Sequence, residues 1–124
     1  MMIKAVSLLQ PWASLIAAGA KKFETRSWST TYRGPLLICA SRPLGVAVAV
    51  AWLSDCRLMQ STDWGEGAAC CEPYPRAWAW VLTDICAIEP FPVSGRLSLF
   101  HPPLPDQIPP RLKDWLARHT RSSR

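Results

Sequence analysis

Three charged side chains in one short stretch are the strongest candidates for chemistry in this sequence. Lys21, Glu24 and Arg26 lie close together in the chain. A partly desolvated lysine can act as a base or a nucleophile, and a neighbouring carboxylate can orient it or relay its proton. An arginine donates two parallel hydrogen bonds and suits a phosphate or a carbonyl oxygen. The three residues therefore form a candidate functional cluster, and an ordinary salt bridge on a strand face is the competing interpretation.

A short helix and a strand are expected to position this cluster. Pro11 suits the first turn of a helix and Gly19 suits the left-handed residue after the last turn, which predicts a helix over residues 11–18. Residues 22–28 have strand character, and the two-residue period of a strand places Glu24 and Arg26 on one face. Lys21 lies in the turn that leads into this strand. The sequence therefore predicts that the three side chains converge near the end of the helix.

Candidate binding residues lie in and around the same stretch. Trp12 and Trp28 flank the charged cluster and offer flat faces on which a base can stack. Ser41 and Arg42 end the next predicted strand, where an ordinary capped strand end is an equally good interpretation. The candidate catalytic residues are Lys21 and Glu24. The candidate residues for binding substrate or RNA are Gln10, Trp12, Lys22, Arg26, Trp28, Ser41 and Arg42.

An ordered set of sequence blocks resembles the ASCH domain, a branch of the PUA-like superfamily. The blocks are Gln10-Pro11-Trp12, then Gly19-x-Lys21-x-x-Glu24-x-Arg26, then Tyr32-Arg33-Gly34-Pro35-Leu36-Leu37-Ile38, and Ala40-Ser41. The resemblance is strongest over residues 5–42 and continues to about residue 101 through 45–55, 78–85 and 92–97. It implies a small, partly open β-barrel with a helix-flanked cleft, associated with RNA binding or RNA-related chemistry.

The resemblance also implies two kinds of chemistry, because some relatives hydrolyse N4-acylated cytidines and others have been linked to RNA cleavage. In the amidohydrolase branch a threonine stands three residues after the lysine, where this chain has Glu24. Thr25 is predicted to face the opposite side of the strand. That branch also has a downstream glutamate, for which Glu66 and Glu72 are both candidates.

The strand pattern and the resemblance together predict an α+β fold. The expected architecture is a PUA-like, partly open β-barrel of mixed, mostly antiparallel strands with flanking helices. Strands are predicted at residues 3–9, 22–28, 35–40, 45–53 and 78–85, with one or two more between residues 88 and 100. A long loop is predicted over 59–75 and a final helix over 111–120. Residues 1–110 are expected to form the ASCH/PUA-like domain, and residues 111–124 a helix and basic tail packed on it.

Charge and composition narrow the possible partners. The net charge of the whole chain is +5, and it is unevenly distributed: residues 21–42 and residues 111–124 each have a net charge of +4. This distribution suits RNA or a modified nucleoside, although a solvated basic tail explains the second block equally well. No apolar run is long enough to span a bilayer, so no membrane partner is expected. The oligomeric state is left open by the sequence.

The cysteines and the missing motifs predict neither a metal nor a cofactor. The five cysteines are irregularly spaced, and even the adjacent Cys70 and Cys71 lack the paired spacing of a zinc site. We interpret them as reduced thiols, which predicts a cytoplasmic protein. The sequence has no phosphate-binding loop and no Gly-x-Gly-x-x-Gly motif, which argues against a nucleotide cofactor.

The sequence leaves three interpretations of function open. As an amidohydrolase, the protein would use Lys21 to attack the amide or activate water, Glu24 to move the proton and Arg26 to stabilise the oxyanion. As a non-catalytic RNA-binding module, it would stack bases on its tryptophans and hold phosphate with Arg26; a ribonuclease is a further alternative. The glutamate beside the lysine favours the ammonium form and weakens the hydrolytic interpretation. The family precedent favours hydrolysis slightly.

Overall fold

The computed structural model describes residues 3–63 and 76–120, and every element named below lies within these ranges. In chain order the elements are β1 (Lys4–Leu8), α1 (Trp12–Ala17), β2 (Phe23–Arg26), β3 (Gly34–Ala40), β4 (Val46–Leu58), a 3-10 turn (Ser61–Asp63), β5 (Trp78–Pro92) and α2 (Pro110–Thr120). Both predicted helices are present. The candidate carboxylates Glu66 and Glu72 and the adjacent Cys70 and Cys71 lie outside the described residues.

The five strands form one sheet in the order β1-β3-β4-β5-β2. β1 runs parallel to β3, and the other neighbouring pairs are antiparallel. Register shifts interrupt the β3–β4 and β4–β5 ladders, and bulges of this kind increase the twist and bend long strands. The sheet curls into a half-barrel with β1 and β2 at its open edges. This confirms the predicted α+β class and the partly open, mostly antiparallel PUA-like barrel.

The helix α1 connects the two edge strands of the half-barrel. It follows β1 and precedes β2, and it packs against β1, β3, β4 and β5. Its buried residues Ala13 and Ile16 belong to a hydrophobic cluster with Leu36, Ile38 and Trp80. The end of α1 is therefore fixed against the sheet, and the charged cluster begins directly after it.

A second hydrophobic cluster covers the other face of the sheet. Leu112 and Trp115 of α2 pack there with Leu37 and Cys39 of β3. Successive residues of β3 thus enter different clusters, which explains why this segment is apolar on both faces. The Trp115 indole N–H also donates to the Asp84 carbonyl oxygen at 2.8 Å. Neither α-helix in the described part of the chain is long and apolar enough to cross a membrane.

The prediction of separate strands over 78–85 and between residues 88 and 100 is wrong. One strand, β5, runs through Trp78–Pro92, and beyond it only Phe100 forms an isolated bridge with Ala5. β2 pairs with β5 from Trp78 to Val81, so among the described residues the later part of β5 has one side without a neighbouring strand. Proline lacks a ladder donor and is tolerated on such a side, so Pro90 lies within β5, which ends at Pro92.

Gly19 ends α1 in the conformation that the sequence predicts. Its φ is +81°, in the left-handed region. Its N–H donates to the Ile16 carbonyl oxygen at 2.9 Å, and the Ala20 N–H donates to the Leu15 carbonyl oxygen at 2.9 Å. These two bonds form a Schellman motif, which satisfies carbonyl groups at the helix end. The turn directs the chain from α1 into Lys21 and β2.

The substitution Gly19→Ala is expected to lower the free energy of unfolding by about 1 kcal/mol, because a Cβ is unfavourable in the left-handed region. No heavy atom lies within 4 Å of the position of that Cβ, so the loss arises from backbone strain alone. Gly19→Asn should lose less, because asparagine adopts this conformation more readily. Urea unfolding of the three proteins measures the difference, and an unchanged stability in Gly19→Ala would contradict the assignment.

Candidate functional site

A cleft of about 1330 Å³ opens beside the ends of β1 and β3, next to β2. Its walls include Trp12 of α1, Glu24 and Arg26 of β2, and Ser41 and Arg42 after β3. The end of β5 and the segment that follows it supply a further wall through residues 92–97 and 100–103. The cleft therefore collects side chains from segments that are far apart in the sequence.

The charged cluster forms a buried chain of ion pairs at this cleft. Lys21 Nζ lies 3.8 Å from Glu24 Oε1, and Arg26 Nε lies 3.2 Å from Glu24 Oε2. Lys21 is only 1% exposed and Glu24 only 6%. The structure thus brings together the three side chains that the sequence singled out. Because both partners of Glu24 are cations, its carboxylate compensates two positive charges in a poorly solvated region.

Arg26 joins the two open edges of the half-barrel. Its Nη2 group donates to the Ser7 carbonyl oxygen at 2.7 Å, which connects β2 to β1. Its Nε atom is buried and, although close to Glu24, lacks hydrogen-bond geometry to any partner in the described protein. Arg26 therefore closes the barrel through Nη2 and is ion-paired with Glu24 through Nε, while its side chain forms part of the cleft wall.

Lys21 lies behind the cleft wall. Its ammonium group is 5.3 Å from the centre of the Trp12 ring, in cation–π range, and Lys21 does not line the cleft. Trp12 and Glu24 do line it. A ligand in the cleft would therefore meet the Glu24 carboxyl group before the Lys21 ammonium group, which makes Glu24 the better placed of the two candidate catalytic residues.

Burial raises the pKa of the Glu24 carboxyl group above its ordinary value of 4.5. Loss of solvation is the largest cause, and the charges of Arg26 and Lys21 and a backbone hydrogen bond from Thr25 oppose it. A buried carboxyl group with a raised pKa can both accept and donate a proton nearer neutral pH.

Three candidate binding residues, Gln10, Lys22 and Trp28, do not line the cleft. Gln10 is exposed and bonds Ser14 at the start of α1: its Oε1 accepts from the Ser14 N–H at 3.0 Å. Lys22 is exposed, and its carbonyl oxygen accepts from the Leu82 N–H at 3.0 Å. Both contacts organise the backbone, because they close a helix turn and extend the β2–β5 pairing.

Trp28 does not flank the cleft as the sequence suggested. Its ring meets the Trp80 ring edge to face, with the centres 4.8 Å apart, and it packs on the cluster beneath α1. Its carbonyl oxygen also accepts from the Trp80 indole N–H at 3.2 Å. The strand ends at Arg26, and the following bend turns Trp28 toward the core, so the sequence proximity of Trp12 and Trp28 does not become proximity at the cleft.

Two basic residues of the cleft were missed by the sequence interpretation. Arg96 and His101 line it from the segment after β5. Arg96 stands among glycine and serine residues in a stretch without periodicity, so the pattern gave no reason to connect it with Arg26 or Arg42. The isolated bridge between Phe100 and Ala5 folds this segment back beside β1, which brings both residues to the cleft.

Comparisons with known proteins agree with this architecture. A family profile described as the ASCH domain matches residues 6–92, which is well over half of the chain. The chain belongs to the ASCH domain family. This ASCH domain is similar in fold to crystal structures of an ASCH protein from Zymomonas mobilis. One is 18% identical, with a TM-score of 0.65, and the match covers 79% of this chain and 85% of that chain. A variant of the same protein is 19% identical, with a TM-score of 0.66, and the match covers 92% and 96%.

Curated relatives match over a short region. Activating signal cointegrator 1 from Mus musculus is 53% identical over 36 residues, which is 29% of this chain and 6% of that protein. The human protein of the same name matches to the same extent. The matched stretch is thus a small part of these longer proteins.

The raised pKa of Glu24 predicts a specific pH dependence of stability. An unfolded glutamate releases its proton near pH 4.5, whereas folded Glu24 keeps it to higher pH. In that window the folded state binds more protons, so the stability contributed by Glu24 falls as pH rises through it. Glu24→Gln lacks this titration. The free energy of unfolding of the wild type minus that of Glu24→Gln should therefore decrease as pH rises above 4.5.

Urea unfolding at several pH values between about 4 and 8 measures this difference. Glu89→Gln is the control, because Glu89 is exposed and its pKa is lowered by backbone hydrogen bonds, its own and that of Arg111. Because the pKa of Glu89 is lowered, its difference from the wild type should rise only as pH approaches 4.5 and should stay level above that value. An increase with pH for Glu24 would show that its ion pairs outweigh its burial.

Proposed function

We propose that this ASCH domain binds RNA, or another ligand that contains a nucleobase, in the cleft. The observation that carries the proposal is the charge of the cleft lining. Arg26, Arg42 and Arg96 line it, and Glu24 is the one carboxylate among the described lining residues. Glu24 already pairs with Arg26 and Lys21, so it does not neutralise the two exposed arginines. An excess of positive charge around a concave site favours an anionic ligand.

The aromatic wall supports a ligand that carries a base. Trp12 is half-buried and lines the cleft, so part of its ring is accessible there. Its position is fixed by α1 and by the Lys21 ammonium group over the ring. A rigid aromatic face beside basic side chains is a common arrangement for single-stranded nucleic acid. The sequence resemblance to a PUA-like branch associated with RNA points to the same ligand class.

Binding of short single-stranded RNA should weaken as salt increases, because each phosphate contact releases counterions. Arg42→Ala should lower the affinity and reduce the slope of log K against log salt by about 0.7, the value for one contact to a single strand. Fluorescence anisotropy with a labelled RNA over a salt series measures both quantities. Arg42 is the better probe than Arg26, because Arg26 also closes the barrel.

Arg118→Ala is the matched control for this experiment. Arg118 is exposed on α2 and does not line the cleft, so its substitution removes the same charge at a position away from the cleft. It should change the affinity less than Arg42→Ala does. If RNA does not bind at low salt, the proposed function is wrong. If RNA binds but Arg118→Ala has the larger effect, the cleft is not the binding site and the basic tail accounts for the attraction.

Amide hydrolysis on an N4-acylcytidine is a second candidate, favoured by the buried Glu24 carboxyl group at the cleft. In this proposal Glu24 removes a proton from the attacking water and returns it to the leaving amine. The Arg26 guanidinium group, which lines the cleft, would stabilise the oxyanion. Lys21 holds Glu24 in place from behind. This differs from direct attack by Lys21, because Lys21 does not line the cleft.

N4-acetylcytidine incubated with the protein should then yield cytidine and acetate. Glu24→Gln should lower the rate by a factor of about 10² to 10⁴, the usual contribution of general acid–base catalysis. Chromatography of the nucleosides measures the rate, and thermal melting of the variant shows whether it is folded. A labelled RNA in a parallel reaction tests cleavage. Intact substrate and intact RNA with the folded wild type would leave binding as the function.

A further inference from the structure

The described part of the chain leaves three buried side-chain polar atoms without a hydrogen-bonding partner, and all three belong to residues of the cleft. They are Ser7 Oγ, Ser41 Oγ and Arg26 Nε. A buried polar atom without a partner destabilises a protein by about 1–3 kcal/mol, so such atoms are rare. Their concentration in one cleft indicates that a ligand group completes their hydrogen bonds.

The backbone brings Ser7 and Ser41 to the same cleft, because β1 and β3 pair in parallel with Ser7 opposite Cys39. The Ser41 N–H donates to the Leu8 carbonyl oxygen at 2.8 Å, which ties the residue after β3 to the end of β1. On the other side Gly95 approaches Ser7 so closely that a Cβ there would lie 2.4 Å from Ser7 Oγ. The two hydroxyl groups can each donate and accept, and the Arg26 Nε–H can donate. Together they match the mixed donors and acceptors on the edge of a nucleobase.

The mouth of the cleft has a different character. Arg42, Arg96 and His101 line it and are exposed. Neither Arg42 nor Arg96 forms an ion pair with a carboxylate of residues 3–63 or 76–120. Arg42 follows β3 and Arg96 follows β5, so the two guanidinium groups come from different segments of the wall. Two unpaired guanidinium groups at one opening suit a phosphate, to which arginine donates two hydrogen bonds at once.

We propose that the ligand is a phosphorylated nucleotide, free or at an RNA end, which enters base first, with the base edge on Ser7, Ser41 and Arg26 and the phosphate between Arg42 and Arg96. This inference rests on the proposed function, since it specifies the ligand of the same cleft. It follows from the separation between a buried floor of hydrogen-bonding groups and an exposed basic mouth. A free nucleoside would leave the mouth unused, and inorganic phosphate would leave the floor unused.

Calorimetric titration with cytidine, cytidine monophosphate, ribose 5-phosphate and inorganic phosphate tests this orientation. Both the 3′ and the 5′ monophosphate of cytidine are titrated. The affinity of whichever binds more tightly is compared with the affinity of cytidine. We expect the nucleotide to bind at least about tenfold more tightly than the nucleoside, because hydrogen bonds between charged groups are among the stronger ones. Arg96→Ala should remove most of this advantage and leave cytidine binding unchanged. Arg118→Ala, the matched control outside the cleft, should change neither.

Two results would overturn the inference while the proposed function stands. One is equal affinity for cytidine and its monophosphate; the other is an Arg96→Ala variant that binds the nucleotide as tightly as the wild type does. If RNA, cytidine and both monophosphates all fail to bind, the proposed function itself is wrong. An equal loss of nucleotide affinity in Arg96→Ala and Arg118→Ala would assign the attraction to net charge and reject the mouth as the phosphate site.

The serine floor is tested independently with Ser7→Ala and Ser41→Ala. Because the hydroxyl groups lack partners in the described protein, their removal should not lower the melting temperature. Their removal should weaken the binding of cytidine and of its monophosphate several-fold and leave the binding of ribose 5-phosphate unchanged. A lower melting temperature with unchanged nucleoside affinity would show that the hydroxyl groups are structural, and it would reject the floor as a base-binding site.

Discussion

The hydrogen bond from Arg26 to the Ser7 carbonyl oxygen joins the two strands that a five-stranded open sheet leaves at its edges. Edge strands expose unpaired backbone groups, and this barrel links its two edges through one guanidinium group at 2.7 Å. The cleft lies beside this link and includes both residues in its lining. The shape of the site therefore depends on a side chain that is also a candidate ligand contact.

The position of Arg26 depends in turn on a buried ion-pair chain. Glu24 lies between Lys21 and Arg26, and burial raises the pKa of its carboxyl group despite two cationic neighbours. A buried charge is costly unless it is paired, so removing any one member leaves the others poorly compensated. Loss of function in a Lys21 or Arg26 variant consequently has two explanations, lost chemistry and a displaced barrel edge. Residues at the mouth, such as Arg42 and Arg96, separate these explanations because they carry no described ion pair.

Depth divides the cleft into regions with different chemistry. The floor holds buried hydroxyl groups and one guanidinium N–H that form no hydrogen bond within the described residues, while the mouth holds exposed basic groups. The segment after β5 makes this division possible. Gly95 packs against Ser7, and Phe100 pairs with Ala5, so Arg96 and His101 are held at the opening. A loop fixed at two points can present side chains to a ligand with little loss of entropy on binding.

The sequence by itself determined the local features of this protein. The spacing from Pro11 to Gly19 predicted α1 and its left-handed end, and the two-residue period placed Glu24 beside Arg26, because helix caps and strand faces depend on neighbouring residues. Only the tertiary structure decided which of these residues reach the cleft. It packed the half-buried Trp28 against the core, buried Lys21 behind Trp12 and brought in Arg96 from beyond β5. Those outcomes depend on the curl of the sheet and on contacts between distant segments, which no local pattern encodes.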